Sequence, residues 1–146
     1  MKDHLDVRPG VAAVVRNAMD EVLLHWRPIG RGWAPPSGRL EAGETVHDAV
    51  IRELQEETRL TVHIEGLIGV YSDPRYQIVT YPGGRRVHFV TNLFACRVTG
   101  GVLAGSDEGA SWAWFEPHRL PEDLLPYARV WLADALVGRA HAILIR

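Results

Sequence analysis

Three carboxylates that share one side of a predicted helix constrain this chain more than any other feature. They are Glu53, Glu56 and Glu57. At ~100° per residue they fall within an arc of about 100°, so the three side chains are neighbours. Like charges at these spacings destabilise a helix by roughly a few tenths of a kcal/mol per pair. A hard divalent cation removes such repulsion and prefers oxygen ligands, so the segment is either a solvated acidic face or a metal site.

The sequence around these glutamates predicts a helix that follows a long loop. Thr45 and Asp48 fit the N-terminal capping pattern, and the helix should end near Thr58 or Arg59. Apolar residues recur at helical spacing and give one buried face, namely Val46, Ala49, Val50 and Leu54. The preceding stretch, residues 28–43, is rich in glycine and proline and is too broken for a simple connection. Long loops of this kind are disproportionately functional.

The rest of the chain alternates predicted strands with turns. Strands are predicted at residues 11–15, 21–26, 61–70, 76–81, 85–98 and 112–115. A second amphipathic helix is predicted over residues 126–137, with Gly138 as its C-terminal cap. This order predicts an α/β fold in which a mixed sheet lies between helices.

Length and composition exclude several classes of protein. The 146 residues suit one domain, residues 1–146, and 47% of them are apolar. With 16 basic and 18 acidic residues, the net charge of −2 disfavours binding to a duplex through a broad basic face. The single cysteine, Cys96, gives no sign of an oxidising compartment, and the apolar runs fall far short of the ~20 residues that span a bilayer. We therefore expect a cytoplasmic protein with no membrane partner.

One long-spaced motif surrounds the acidic helix. It consists of Gly38, Glu44, Arg52, Glu53, Leu54, Glu56, Glu57 and Leu60. These residues resemble the Nudix box at every fixed position except one, because Arg59 stands where the family has glycine. The resemblance extends beyond the box. Residues 33–38 look like the segment that leads into it, although glycine is commoner than Ser37, and residues 114–121 resemble the family's C-terminal segment.

The resemblance implies a Nudix-type α/β/α sandwich and hydrolysis of a nucleoside diphosphate linked to another group. It implies a magnesium site, with Mn²⁺ as the alternative cation. Carried over by position, the ligands are Glu53, Glu56, Glu57 and the carbonyl of Ser37. Arg52 would orient the carboxylates by pairing with Glu44, whereas its alternative is a surface ion pair with Glu56, which contributes little to stability.

The resemblance also bears on the chemistry of attack. Magnesium lowers the pKa of a bound water and neutralises phosphate charge, so water can attack phosphorus directly and Cys96 is expected to be an inert strand residue. Glu57 belongs to the catalytic cluster, and either Glu53 or Glu108 could accept the proton of the water. The alternative for Glu108 is a solvated loop carboxylate.

Residues that would contact the substrate are less specific in the sequence. Arg27 and Arg39 flank the long loop and could neutralise substrate phosphate, and Tyr76 could stack on a base or sugar. Solvated arginines and cross-strand aromatic pairs are the alternatives. Arg59 is expected to alter only the helix end, because glycine at this position commonly adopts the left-handed conformation.

Three functions are compatible with these residues. The first is hydrolysis of a small nucleotide, with either a monomer or a homodimer. The second is a catalytically weak nucleotide sensor, which would not need the complete acidic cluster. The third is hydrolysis at the 5′ end of RNA, which the lack of a basic surplus disfavours, so no extended nucleic-acid partner is expected.

Overall fold

One mixed β-sheet with helices on both faces organises the computed structural model, which describes residues 5–104, 111–137 and 142–146. The strands are β1 Asp6–Arg16, β2 Val22–Arg27, β3 Gly32–Ala34, β4 Ser37–Arg39, β5 Thr61–Tyr71, β6 Ile78–Thr80, β7 Arg86–Gly100, β8 Trp112–Phe115 and β9 Leu144–Ile145. The helices are α1 Val46–Thr58, α2 Pro74–Gln77 and α3 Pro126–Leu136. Among the described helices, none is long and apolar enough to cross a membrane.

The sheet is mixed because its central pair is parallel while most other pairs are antiparallel. The main order is β3-β2-β1-β7-β5-β9, and β4, β6 and β8 pair with β1, β7 and β2 respectively. Strand β1 runs parallel to β7, whereas β5 runs antiparallel to β7. The predicted hairpin turn after β1 is present, and the Asn17 side chain accepts hydrogen bonds from the backbone N–H groups of Met19 and Glu21.

Strand β1 contributes to the hydrophobic core on both faces of the sheet. Val11, Ala13 and Val15 belong to the core cluster that contains the buried face of α1. Ala12 and Val14 alternate with them and belong to the cluster that contains the buried side chains of α3. The α/β/α sandwich predicted from the sequence is therefore confirmed.

Cys96 is buried in β7, and burial raises the pKa of its thiol to about 12, which agrees with an inert strand residue.

Part of the predicted strand at residues 76–81 is wrong. The structure forms the short helix α2 first, and the strand that follows covers only Ile78–Thr80. Asp73 accepts a hydrogen bond from the backbone N–H of Arg75, and Pro74 fixes a helical φ at the first position of the turn. Strands β3 and β4 lie inside the stretch that the sequence assigned to a long loop.

Helix α1 begins and ends at the residues that its sequence predicts, but the expected change of the helix end at Arg59 is wrong. Thr45 caps the N-terminus by accepting a hydrogen bond from the backbone N–H of Asp48. At the other end Arg59 adopts the left-handed conformation with φ 62°, and its backbone N–H donates to the carbonyl of Gln55. The chain therefore keeps the helix end that suits glycine, with an arginine in that position.

We expect Arg59→Gly to raise the free energy of unfolding by about 1 kcal/mol, because a side chain in the left-handed region costs roughly that amount. Arg59→Ala is the matched control, since it removes the guanidinium but keeps Cβ and the backbone strain. Urea unfolding measures both variants. Equal stability of the two variants would show that the φ of Arg59 is not a source of strain.

Candidate active site

Gly38 makes room for the Glu53 side chain. A Cβ atom built on Gly38 would lie 2.1 Å from Cδ and 2.5 Å from Oε1 of Glu53. The backbone of β4 and the carboxylate of Glu53 on α1 are therefore in direct contact, and only glycine permits this approach. Strand β4 also pairs with the central strand β1, where Ser37 lies opposite Ala12. The position of Glu53 is thus fixed against the sheet.

Arg52 joins the loop before α1 to the carboxylates on it. Its Nε and Nη2 donate to the two carboxylate oxygens of Glu44 at 2.9 and 2.7 Å. Its Nη1 donates to Glu53 Oε1 at 3.0 Å and to Glu56 Oε2 at 3.3 Å. Nη2 also donates to the carbonyl of Arg39 at 3.0 Å. The sequence analysis gives Glu44 and Glu56 as alternative partners of Arg52, and in the structure Arg52 pairs with both.

The Arg52–Glu44 pair stays charged over a wide pH range. Hydrogen bonds from the Arg52 guanidinium, and next from the backbone N–H of Glu41, lower the pKa of Glu44 to about 2. The same hydrogen bonds to Glu44 raise the pKa of Arg52 above its ordinary value. Bidentate arginine–carboxylate pairs fix geometry as well as charge. The fixed guanidinium therefore holds one oxygen of Glu53 in place.

Glu53 and Glu57 are crowded. Partial desolvation by the surrounding protein raises the pKa of Glu57 to about 7, although solvent reaches this side chain. The neighbouring Glu53 carboxylate adds to this rise, and the Arg27 guanidinium opposes it. Desolvation and the neighbouring Glu53 carboxylate therefore both disfavour the charged form of Glu57. A cation placed between them would supply the positive charge that they lack.

These oxygen donors fit magnesium or manganese better than a softer metal. In the described part of the chain, no three His, Cys, Asp or Glu side chains converge into a cage for a metal ion, and Glu56 is turned toward Arg52. Magnesium is commonly held by one or two carboxylates, with water and substrate phosphate completing its ligands. Glu53 and Glu57 beside an open cleft match that requirement.

An open cleft with about 140 Å³ of space lies beside Glu53, because Gly38 lines the cleft and also contacts the Glu53 carboxylate. Its wall includes Ser37 and Gly38 and all three residues that the sequence proposed for substrate contact, Arg27, Arg39 and Tyr76. Arg27 Nη1 donates to Ser37 Oγ at 3.2 Å. Within the described residues, neither Arg27 nor Arg39 forms an ion pair with a carboxylate. Two guanidinium groups are therefore available to an anionic ligand in the cleft.

Comparison with known proteins decides the family. A family model described as the NUDIX domain matches residues 6–135. The chain belongs to the Nudix family. Nudix membership makes it a hydrolase of the pyrophosphohydrolase class, in agreement with the function class expected from the sequence.

Proteins similar to this Nudix hydrolase are named after different substrates. A protein of Bacillus subtilis strain 168, named provisionally as an 8-oxo-dGTP diphosphatase, is 32% identical over 86% of this chain and 77% of its own length. A protein of Novosphingobium aromaticivorans named RNA pyrophosphohydrolase is 30% identical over 86% of this chain and 87% of its own length. A crystal structure of a Nudix hydrolase from Nitrosomonas europaea matches with a TM-score of 0.71 at 21% identity, covering 99% of this chain and 81% of that one, and shows the same fold.

Two polar residues of the Nudix cleft cannot be recognised as site residues from the sequence. Gln77 and Thr91 line it, and Gln77 Nε2 donates to Thr91 Oγ1 at 2.8 Å. Trp131, expected to be a core residue, is buried and also reaches the cleft, where its Nε1 donates to Gln77 Oε1 at 3.2 Å. These residues lie far apart along the chain, so no local pattern links them.

Glu108 and Gly138, both predicted from the sequence, lie outside the described residues.

Proposed function

We propose that this enzyme cleaves a pyrophosphate bond in a small nucleotide, such as a nucleoside triphosphate or ADP-ribose, and that it requires Mg²⁺ or Mn²⁺. The proposed metal ligands are Glu53, Glu56, Glu57 and the carbonyl oxygen of Ser37. The observation that carries the proposal is the contact of the Glu53 carboxylate with Gly38, which lines the same cleft as Arg27 and Arg39. Carboxylates for a cation and guanidinium groups for phosphate are thus adjacent.

Each side chain of this arrangement has a defined task. The bound cation would neutralise phosphate charge and make water a better nucleophile. Arg27 and Arg39 would bind phosphate oxygens on the cleft side, because both side chains line the cleft. Arg52 would act as a positioning residue, because it holds Glu53 while it is itself fixed by Glu44.

The group that accepts the proton of the attacking water is proposed to be Glu53, with Glu108 as the alternative. Glu53 lies directly against β4 and is held by Arg52, so it has one defined position. We expect kcat to rise from pH 6 toward mildly alkaline pH, because the base must lose its proton before attack. Glu53→Gln and Glu108→Gln separate the two candidates, since the variant that lacks the base should lose this rise and the other should retain it.

The near-neutral charge of the chain favours a small nucleotide over a long RNA contact, because 16 basic residues against 18 acidic ones leave no basic surplus for a phosphate backbone. The relative named RNA pyrophosphohydrolase makes the 5′ end of RNA the second candidate. RNA turnover that falls steeply as salt rises would favour it, because each phosphate contact along a strand adds to the salt dependence.

The deciding experiment is a panel of nucleoside triphosphates, nucleotide sugars, dinucleotides and 5′-triphosphorylated RNA, with chromatographic identification of the products. We expect a nucleoside monophosphate and the phosphorylated remainder in the presence of Mg²⁺. We expect no turnover after verified removal of metal, and recovery when Mg²⁺ is restored. Activity that persists without metal contradicts the proposed site. Release of inorganic phosphate alone from a triphosphate contradicts the proposed bond.

A further inference from the structure

Beyond its arginines, the cleft has aromatic walls. Tyr76, Tyr81, Phe89 and Tyr127 line it. The ring of Tyr127 lies 4.7 Å from that of Trp131, centroid to centroid. Arg27 lines the same cleft as Tyr127 and donates to Ser37 next to Gly38, so this arginine is near both the carboxylate side and the aromatic part. A nucleotide whose phosphates meet Arg27 would therefore have its base among aromatic rings, on which a planar base can stack.

Two buried polar side chains form the floor of this aromatic part. Gln77 is 5% exposed and Thr91 is 4% exposed, yet both line the cleft. The indole N–H of Trp131 can only donate, which orients the Gln77 amide with its oxygen toward Trp131 and its nitrogen toward Thr91. The Thr91 hydroxyl oxygen then serves as the acceptor for Gln77. The hydrogen-bonding roles in this chain of three residues are thereby assigned.

After these internal bonds, the floor retains hydrogen-bond donors. Among the described residues, one N–H of the Gln77 amide donates to Thr91 and the other has no acceptor, and the Thr91 hydroxyl hydrogen likewise has no acceptor there. A ring carbonyl oxygen has two lone pairs and accepts from two such donors. An exocyclic amino group in the same position would direct its N–H toward the remaining Gln77 N–H and leave this buried donor without an acceptor, which is costly.

We propose that Gln77 and Thr91 are specificity-determining residues that select nucleotides whose base carries a ring carbonyl, as in hypoxanthine or uracil, over those with an amino group at that position, as in adenine or cytosine. This inference rests on the proposed function, because it names the base of the nucleotide that the enzyme would cleave. It concerns the aromatic end of the cleft and requires nothing of the carboxylates.

Binding of monophosphates to the metal-free protein tests the inference directly. IMP and AMP form one matched pair and UMP and CMP the other, and calorimetry gives the four affinities. We expect the carbonyl-bearing member of each pair to bind about tenfold more tightly or better, because a site built around hydrogen bonds rejects analogues that leave its polar groups unpaired. Equal affinities, a preference for AMP and CMP, or no measurable binding of any of the four would overturn it.

Variants separate recognition from a structural role. Thr91→Val keeps the shape of the side chain and removes the hydroxyl, and it should bring the IMP-to-AMP affinity ratio several-fold closer to one. Gln77→Met should do the same. Thr99→Val is the matched control, since Thr99 is an exposed residue of the same strand that bonds to the Thr61 carbonyl. A ratio unchanged in Thr91→Val and Gln77→Met would overturn the inference even if both variants lose stability.

The failure of this inference and that of the proposed function are distinguishable. If the wild-type ratio exceeds one but no nucleotide or RNA is hydrolysed, the inference stands and the proposed function is wrong. If nucleotides are hydrolysed with Mg²⁺ while the four monophosphates bind equally, the proposed function stands and the inference is wrong. Glu57→Gln should leave the affinity ratio unchanged, because Glu57 does not line the aromatic part.

Discussion

Glu57→Gln should reduce hydrolysis at saturating Mg²⁺ by at least about a hundredfold while the fold is retained. The amide keeps the shape of the side chain but removes the negative charge proposed to hold the cation. Glu57 is accessible to solvent, so the substitution leaves no cavity in the core. Steady-state rates with the preferred nucleotide, together with a circular dichroism spectrum, measure both parts of the expectation.

The matched control for this variant is Glu65→Gln. Glu65 is a half-exposed glutamate on β5 that pairs with Arg97, on a different element from the acidic helix. Its substitution removes the same charge from the protein and should leave turnover unchanged. Near-normal hydrolysis by Glu57→Gln would contradict the metal-site assignment, and equal losses in both variants would indicate a general effect of net charge.

Glu57→Gln should also change the pH dependence of stability in the metal-free protein. The folded protein raises the pKa of Glu57 from 4.5 to about 7, chiefly through desolvation, so between these values the folded state binds more protons than the unfolded state. The contribution of Glu57 to stability is therefore present below pH 4.5 and is lost as the pH rises through 7. In EDTA, the variant should gain stability relative to wild type from pH 5 to pH 8. A constant difference across this range would contradict the raised pKa of Glu57 in the folded protein.

Gly38→Ala should lower the rate by about a hundredfold, because displacement of a catalytic group by about 1 Å can cost that much. The new methyl group would lie 2.1 Å from Cδ of Glu53, so either this carboxylate or strand β4 must move. The strain should also reduce the free energy of unfolding by about 1–3 kcal/mol. Kinetics and urea unfolding measure the two effects.

Gly66→Ala provides the comparison for Gly38→Ala. A Cβ atom on Gly66 would meet nothing within 4 Å, and its φ is not in the left-handed region. This control should therefore preserve both the rate and the stability within error. Wild-type activity in Gly38→Ala would mean that the carboxylate of Glu53 does not need the position it has in the structure.

Sequence periodicity was sufficient to predict most of the fold. Helix α1 can be predicted from the spacing of its apolar residues, and its cap at Thr45 from a hydrogen bond to a residue three positions away. Both signals lie within a short stretch of sequence. Strands β3 and β4 cannot be predicted from the sequence, because three residues are too few to show an alternating pattern. The prediction of a strand from residue 76 is wrong because it neglects Asp73, which caps a helical turn. The helix turn at Pro74 was decided by this local capping rather than by strand propensity.

The candidate site was predictable to the extent that its parts are close in the chain. Glu53, Glu56 and Glu57 follow from helical geometry, and the motif placed Gly38 beside them without saying why. The reason, contact between the Glu53 carboxylate and the β4 backbone, depends on three-dimensional distance. The chain from Trp131 through Gln77 to Thr91 joins α3, α2 and β7, so only the folded structure brings it together.

The hydrogen bonds of Arg52 have a consequence for engineering. Because this one guanidinium binds the carbonyl of Arg39 and the carboxylates of Glu44 and Glu53, residues 39–56 behave as a single part that cannot be exchanged piecemeal. The aromatic part of the cleft, around Gln77 and Thr91, is built by other elements. A library of variants in this part can therefore be screened for new substrates while the residues proposed for hydrolysis stay unchanged.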